Sequence, residues 1–170
     1  MIKLNKNKPA YYIHISMNIV LEIKDIDPTN IYLLDTKKNI IMDGSFTKIL
    51  YTNPYLTMNS IYCITSIEII NSEIINKNFS TYNIYCSPEM IQQCYDLEKY
   101  IIDFYKQEMG VNKACSYLLY KQLQTYKIKL YKENNITPIN VIPSIVLKIS
   151  GLWETENEVG ITYKFLEMYT

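Results

Sequence analysis

The sequence predicts one α+β domain, mainly antiparallel β, built as an OB-like barrel or a strongly twisted sheet with a two-helix insertion before the last three strands. Three observations carry this expectation. Apolar residues alternate with polar ones at period two over most of the first half of the chain. Between Ser87 and Leu119 the spacing becomes helical, and from residue 126 onward it returns to period two. At 170 residues the chain suits one well-packed domain, and no repeat or Pro-, Gly- or Ser-rich linker divides it.

Residues 11–24 alternate most strictly, with Tyr11, Ile13, Ile15, Met17, Ile19, Leu21 and Ile23 set against Tyr12, His14, Ser16, Asn18, Val20, Glu22 and Lys24. This is the pattern of a long, half-buried strand. Asp25-Ile26-Asp27-Pro28 then turns the chain through its Asp side chains. Residues 31–34 and 39–42 read as a hairpin across Asp35–Lys38. Asp43-Gly44 is a type I′ turn signal leading into a strand from Ser45 to Tyr51, which Thr52-Asn53-Pro54-Tyr55 interrupts. Further strands are expected at Ile61–Ile70 and Thr81–Tyr85.

Ser87 is an N-cap, Pro88 fits the first helical position, and Glu89 suits the positive end of the helix dipole. Cys94, Leu97, Ile101, Phe104 and Tyr105 mark one helical face, and Gly110 supplies the stop. Asn112 is expected to cap a second helix carrying Cys115, Leu118 and Leu119. Strand patterns return at 126–131, 144–153 and 159–168.

The last two of these form a hairpin around the only tryptophan. Alternation groups Ile145, Leu147, Ile149, Gly151 and Trp153 on one face, with Lys148 and Ser150 opposite. On the returning strand Ile161, Tyr163 and Phe165 share a face, and Thr162 and Lys164 the other. Trp153 is therefore expected as a core anchor rather than a base-stacking platform, with Gly151 leaving room beside it or permitting a bend and Gly160 relaxing the exit from the turn.

Composition limits the chemistry. All seventeen basic residues are lysines and none is arginine, so no bidentate fork for guanine or carboxylate is present. Abundant Ile, Asn, Tyr and Lys point to an A/T-rich coding sequence. A formal net charge of zero argues against a polybasic coat. Cys63, Cys86, Cys94 and Cys115 show no paired metal-ligand spacing and are expected as reduced, buried thiols. No cofactor and no metal site is expected. No apolar run is long enough to span a membrane, and no secretory pattern is read, so the expectation is a soluble intracellular protein without a membrane partner.

Phosphate-loop, dinucleotide-binding, nucleophile-elbow and zinc-protease motifs are missing from the sequence. His14 has no orienting carboxylate within reach and is not expected to be catalytic. The protein is therefore expected to be non-enzymatic. The remaining candidate is a polyanion-binding face, in which Lys127, Lys129 and Tyr131 alternate with Tyr126, Ile128 and Leu130. If that strand joins the Trp153 hairpin, Lys127, Lys129, Tyr131, Lys148 and Lys164 share a face suited to a single strand. Glu154, Glu156 and Glu158 at the hairpin tip oppose this, and Glu89, Asp96, Glu98, Asp103 and Glu108 make the first helix acidic on its outer face.

Two segments, DGSFTKILYTNPYLTMNSIY (Asp43–Tyr62) and LKISGLWETENEVGITYKF (Leu147–Phe165), carry a resemblance. With the A/T-rich usage, the chain resembles small uncharacterised proteins of large nucleocytoplasmic DNA viruses. It is more loosely similar to viral OB-fold single-stranded DNA-binding proteins, although its helical insertion is larger than theirs. The resemblance implies a viral accessory protein in the infected cell or virion, with single-stranded nucleic acid as partner. The alternative is a non-enzymatic viral structural or interaction module whose partner is a viral or host protein. No binding residue is transferred by the resemblance.

Overall fold

The structure, a computed structural model, describes residues 19–41, 43–75, 79–131 and 144–168. Most of the expected first strand, with His14, lies outside the described residues. Of its end, Leu21–Glu22 pairs as β1, and Ile23–Asp25 already coils into a 3-10 turn. Asp27 then works as the sequence suggests: its Oδ1 accepts from the Thr29 amide at 2.9 Å and the Thr29 hydroxyl at 2.7 Å.

The strands that follow are β2 (Ile31–Lys38), β3 (Ser45–Thr52), β4 (Thr57–Met58), β5 (Ile61–Ile64), β6 (Glu68–Ile75) and β7 (Phe79–Tyr85). Next come α1 (Pro88–Met109), β8 (Ala114–Ser116), α2 (Leu118–Gln124), β9 (Lys127–Tyr131), β10 (Ser144–Glu154) and β11 (Glu158–Met168). All the strands join one sheet. The architecture is α+β, with a large twisted sheet that does not close on itself among the described residues.

The antiparallel hairpin β10–β11 is its spine. On its outer edge β10 pairs with β5 through Val146–Ile149, then with β3 through Gly151–Glu154. On the other side β11 runs parallel to β8 and β9, and the sheet continues through β7 to β6. Strands β2 and β4 extend from β3, and β1 from β5.

Two strand expectations change. The hairpin expected within 31–42 does not form, because β2 continues through Asp35 to Lys38, paired with β3. The reversal comes at 39–44, where the Asn39 amide donates to Gly44 O at 3.0 Å and the Asn39 side chain accepts from the Ile41 amide. Gly44 has φ +128°, and a Cβ there would stand 2.0 Å from the Glu154 carbonyl oxygen. Gly44 thus helps close β2 onto β3, but in a longer loop than the expected type I′ turn, because Asp43 does not share its positive φ. The strand expected from Ile61 to Ile70 is split at 65–67, where the Thr65 amide and hydroxyl both donate to Ile145 O. That anchor ends β5 beside β10 and sends β6 to the far end of the sheet.

Helix α1 starts and stops as its sequence specifies. The Ser87 hydroxyl accepts from the Met90 amide at 3.2 Å, Pro88 follows, and Gly110 adopts φ 65°. Its buried side chains, Ile91, Cys94, Leu97, Ile101, Ile102 and Tyr105, pack on α2 and on the β11 side of the sheet. The second helix does not begin at Asn112. Residues 114–116 extend as β8 along β11, and α2 starts at Leu118 without a local side-chain cap. Glu98, expected on the acidic outer face of α1, is instead fully buried. It accepts from the Leu119 and Tyr120 amides at 3.0 and 2.9 Å, capping α2 from another helix.

A polar clasp ties α1 to the β10–β11 turn. The Tyr105 hydroxyl donates to Glu154 Oε2 at 2.6 Å, and Lys113 Nζ meets Oε1 at 2.5 Å while also donating to Thr155 O. Burial raises the Glu154 pKa, but Lys113 and Tyr105 together outweigh it and hold the carboxyl below its usual value. Because the folded pKa is depressed, the contribution is complete above the ordinary glutamate range and is lost as pH falls through the folded value. Glu154→Gln is therefore expected to lower stability at neutral pH and flatten the acid limb of urea midpoints measured against pH. An acid limb as steep as wild type would place the loss at another carboxylate.

Candidate nucleic-acid interface

The helices pack on one face of the sheet, and the register shows which described residues point to the other. Leu130 pairs with Phe165, both buried, so the preceding residues Lys129 and Lys164 stand side by side on the opposite face. Lys164 is directly opposite Lys148, and Lys148 directly opposite Tyr62 on β5. The row Lys129–Lys164–Lys148–Tyr62 thus crosses four adjacent strands, about 14 Å at ordinary strand spacing. Lys148 Nζ lies 5.1 Å from the Tyr62 ring centroid, and Lys129 Nζ 3.7 Å from that of Phe79. Lys127 has the same parity on β9 and reaches Glu73 at 2.8 Å, an exposed pair of little strength. Tyr131 closes β9 at the position paired with Phe79.

Trp153 departs from expectation. Ile149 pairs with Tyr163, but Gly151 pairs with Thr162, so Ser150 is an extra residue on β10. The bulge falls where β10 exchanges β5 for β3 as neighbour. One added residue reverses the parity of everything after it. Leu152, 1% exposed, now fills the core, and Trp153 turns to the lysine face, half-buried, opposite Gly160 and Phe46. Gly160, not Gly151, leaves room for the ring, since a Cβ there would lie 2.6 Å from the indole; Gly151 sits beside the bulge, where a Cβ would lie 2.3 Å from Thr47 O of β3.

Phe46, Lys48, Tyr62 and Phe79 belong to this face and are missed by reading residues 126–164 alone. The alternation of Thr47, Ile49 and Tyr51 against Phe46 and Lys48 is the signal that assigns the first two. Among the acids expected to oppose a polyanion, Glu154 faces the helices and is paired with Lys113, while Glu156 and Glu158 are exposed at the turn.

Cys63, Cys86 and Cys94 are buried and Cys115 is half-buried. Burial pushes the Cys63 thiol up to about 12 and raises Cys94 and Cys86, as for small core hydrophobes. Among the described residues no group of three or more His, Cys, Asp or Glu side chains is placed to hold a metal ion. No helix among them is long and apolar enough to cross a membrane. No protein-family model matches this chain, and neither does any curated protein or solved structure.

Proposed function

We propose that this protein binds single-stranded nucleic acid without sequence specificity, through the sheet face opposite its helices, as a viral accessory protein. The observation that carries the reading is the register that sets Lys129, Lys164 and Lys148 in one row ending on Tyr62. Lysines meet phosphates as point charges and favour no base, and lysine interleaved with aromatic rings on a sheet is a way to hold single strands. The twisted sheet then serves as an OB-like barrel does, offering one curved face to a strand. The viral assignment rests on the resemblance of Asp43–Tyr62 and Leu147–Phe165 alone.

Lys148→Ala with Lys164→Ala is expected to flatten the salt dependence of oligonucleotide binding by about one and a half units, at about 0.7 per phosphate on a single strand. Thermal unfolding should stay close to wild type. An unchanged slope would remove this row from the interface. A second reading, a protein-interaction module, has its own observation: Ile40 and Ile41 are 98% and 91% exposed in the β2–β3 turn. The lysine pair would leave such a contact intact.

A further inference from the structure

The lysine row accounts for a phosphate backbone but not for two large rings beside it. Trp153 and Phe46 are directly opposed in the β10–β3 register, on the face that carries Lys148 and Lys164. Each ring lies over a glycine of the neighbouring strand. A Cβ on Gly160 would fall 2.6 Å from Trp153 Cζ2, and one on Gly151 would fall 2.7 Å from Phe46 Cζ. Missing side chains at these two positions let both rings settle against backbone. The Trp153 Nε1–H donates to Ile161 O at 3.1 Å, which fixes the indole's orientation, and both rings keep part of their surface exposed. Lys37 stands opposite Phe46, and Lys48 opposite Gly151, both exposed.

Resting on the nucleic-acid reading above, we infer that Trp153 and Phe46 form a base-stacking subsite for the planar bases of a single strand. Lys37 and Lys48 hold the phosphates on either side of the stacked bases, continuing the track set by Lys148 and Lys164. A ring already fixed by a hydrogen bond and a glycine floor loses little freedom when a base covers it, and every base offers a π face. Bases locked inside a duplex are not available to such a platform. The subsite therefore separates single strands from duplexes and from other polyanions, which the lysines alone do not.

The test titrates the full chain with labelled oligothymidylate, an abasic strand of equal length, and a duplex. It reads the anisotropy of the label and the emission of Trp153, the only tryptophan. Oligothymidylate should bind and quench Trp153. The abasic strand should bind about five- to 150-fold more weakly, the range that stacking one base supplies, and leave emission unchanged. Phe46→Leu should weaken oligothymidylate and not the abasic strand. Should that variant fail to fold, the wild-type chain still decides: the duplex, like the abasic strand, should leave emission unchanged, and a duplex that quenches Trp153 as oligothymidylate does overturns the subsite. Equal binding of both single strands with unchanged emission overturns the subsite and leaves the lysine reading standing. Binding of neither strand overturns the lysine reading, and the subsite with it.

Discussion

Leu152→Ala should destabilise the fold by about 2–5 kcal/mol, while Trp153→Leu costs about 1 kcal/mol. The larger ring gives the smaller loss because of the bulge at Ser150. Leu152 is 1% exposed within the hydrophobic core, whose close packing cannot collapse fully around a missing isobutyl group. Trp153, one position on, covers Gly160 on the far side and stays half-buried. Urea denaturation followed by circular dichroism measures both. A Trp153→Leu loss equal to or above that of Leu152→Ala would mean that β10 keeps one parity throughout.

Glu98→Ala should cost about 2–5 kcal/mol, by removing the carboxylate that accepts from the Leu119 and Tyr120 amides at the start of α2. Burial raises the Glu98 pKa, and the amides of Tyr120, Leu119 and Leu118 with the Lys121 charge only partly oppose it. The sign is opposite to that of Glu154. With the folded pKa above the ordinary one, the contribution is largest below the unfolded value and declines as pH rises through the folded value. Hydrogen exchange gives the local readout: the Leu119 and Tyr120 amides should lose protection in Glu98→Ala ahead of the β10–β11 ladder. Glu98→Gln, which keeps one acceptor oxygen, should recover part of the loss. Unchanged protection at these amides would show that α2 is held by packing alone.

These two sites mark where the sequence is legible and where it is not. Helix α1 was readable because its signals are local: Ser87, Pro88 and Gly110 each act within a turn of where they stand. Strands β10 and β11 were readable because alternation needs no partner. The start of α2 was not, since its cap arrives from Glu98, 21 residues earlier in the chain. The parity of Trp153 was hidden for a similar reason. Ser150 is an ordinary polar residue between Ile149 and Gly151, and becomes a bulge because β10 changes neighbours there. The lysine row follows from alternation plus one pairing, β9 with β11. The contribution of β3 was lost because Phe46 and Leu50 blur the apolar face of that strand.

Strand β6, at the end of the sheet, bears on how the protein behaves when concentrated. Among the described residues it pairs only with β7, and that ladder slips twice, leaving Ile70 and Glu73 as extra residues. The outer row of amides and carbonyls is broken to the same rhythm, so a strand from another copy finds no uninterrupted run to dock on. Glu68 adds like charge to any such approach, while Glu73 is paired with Lys127. Ile70, 63% exposed, would otherwise make this edge adhesive, yet it sits at one of the breaks. Along this edge the described backbone therefore offers a second copy no continuous template of the kind fibres need.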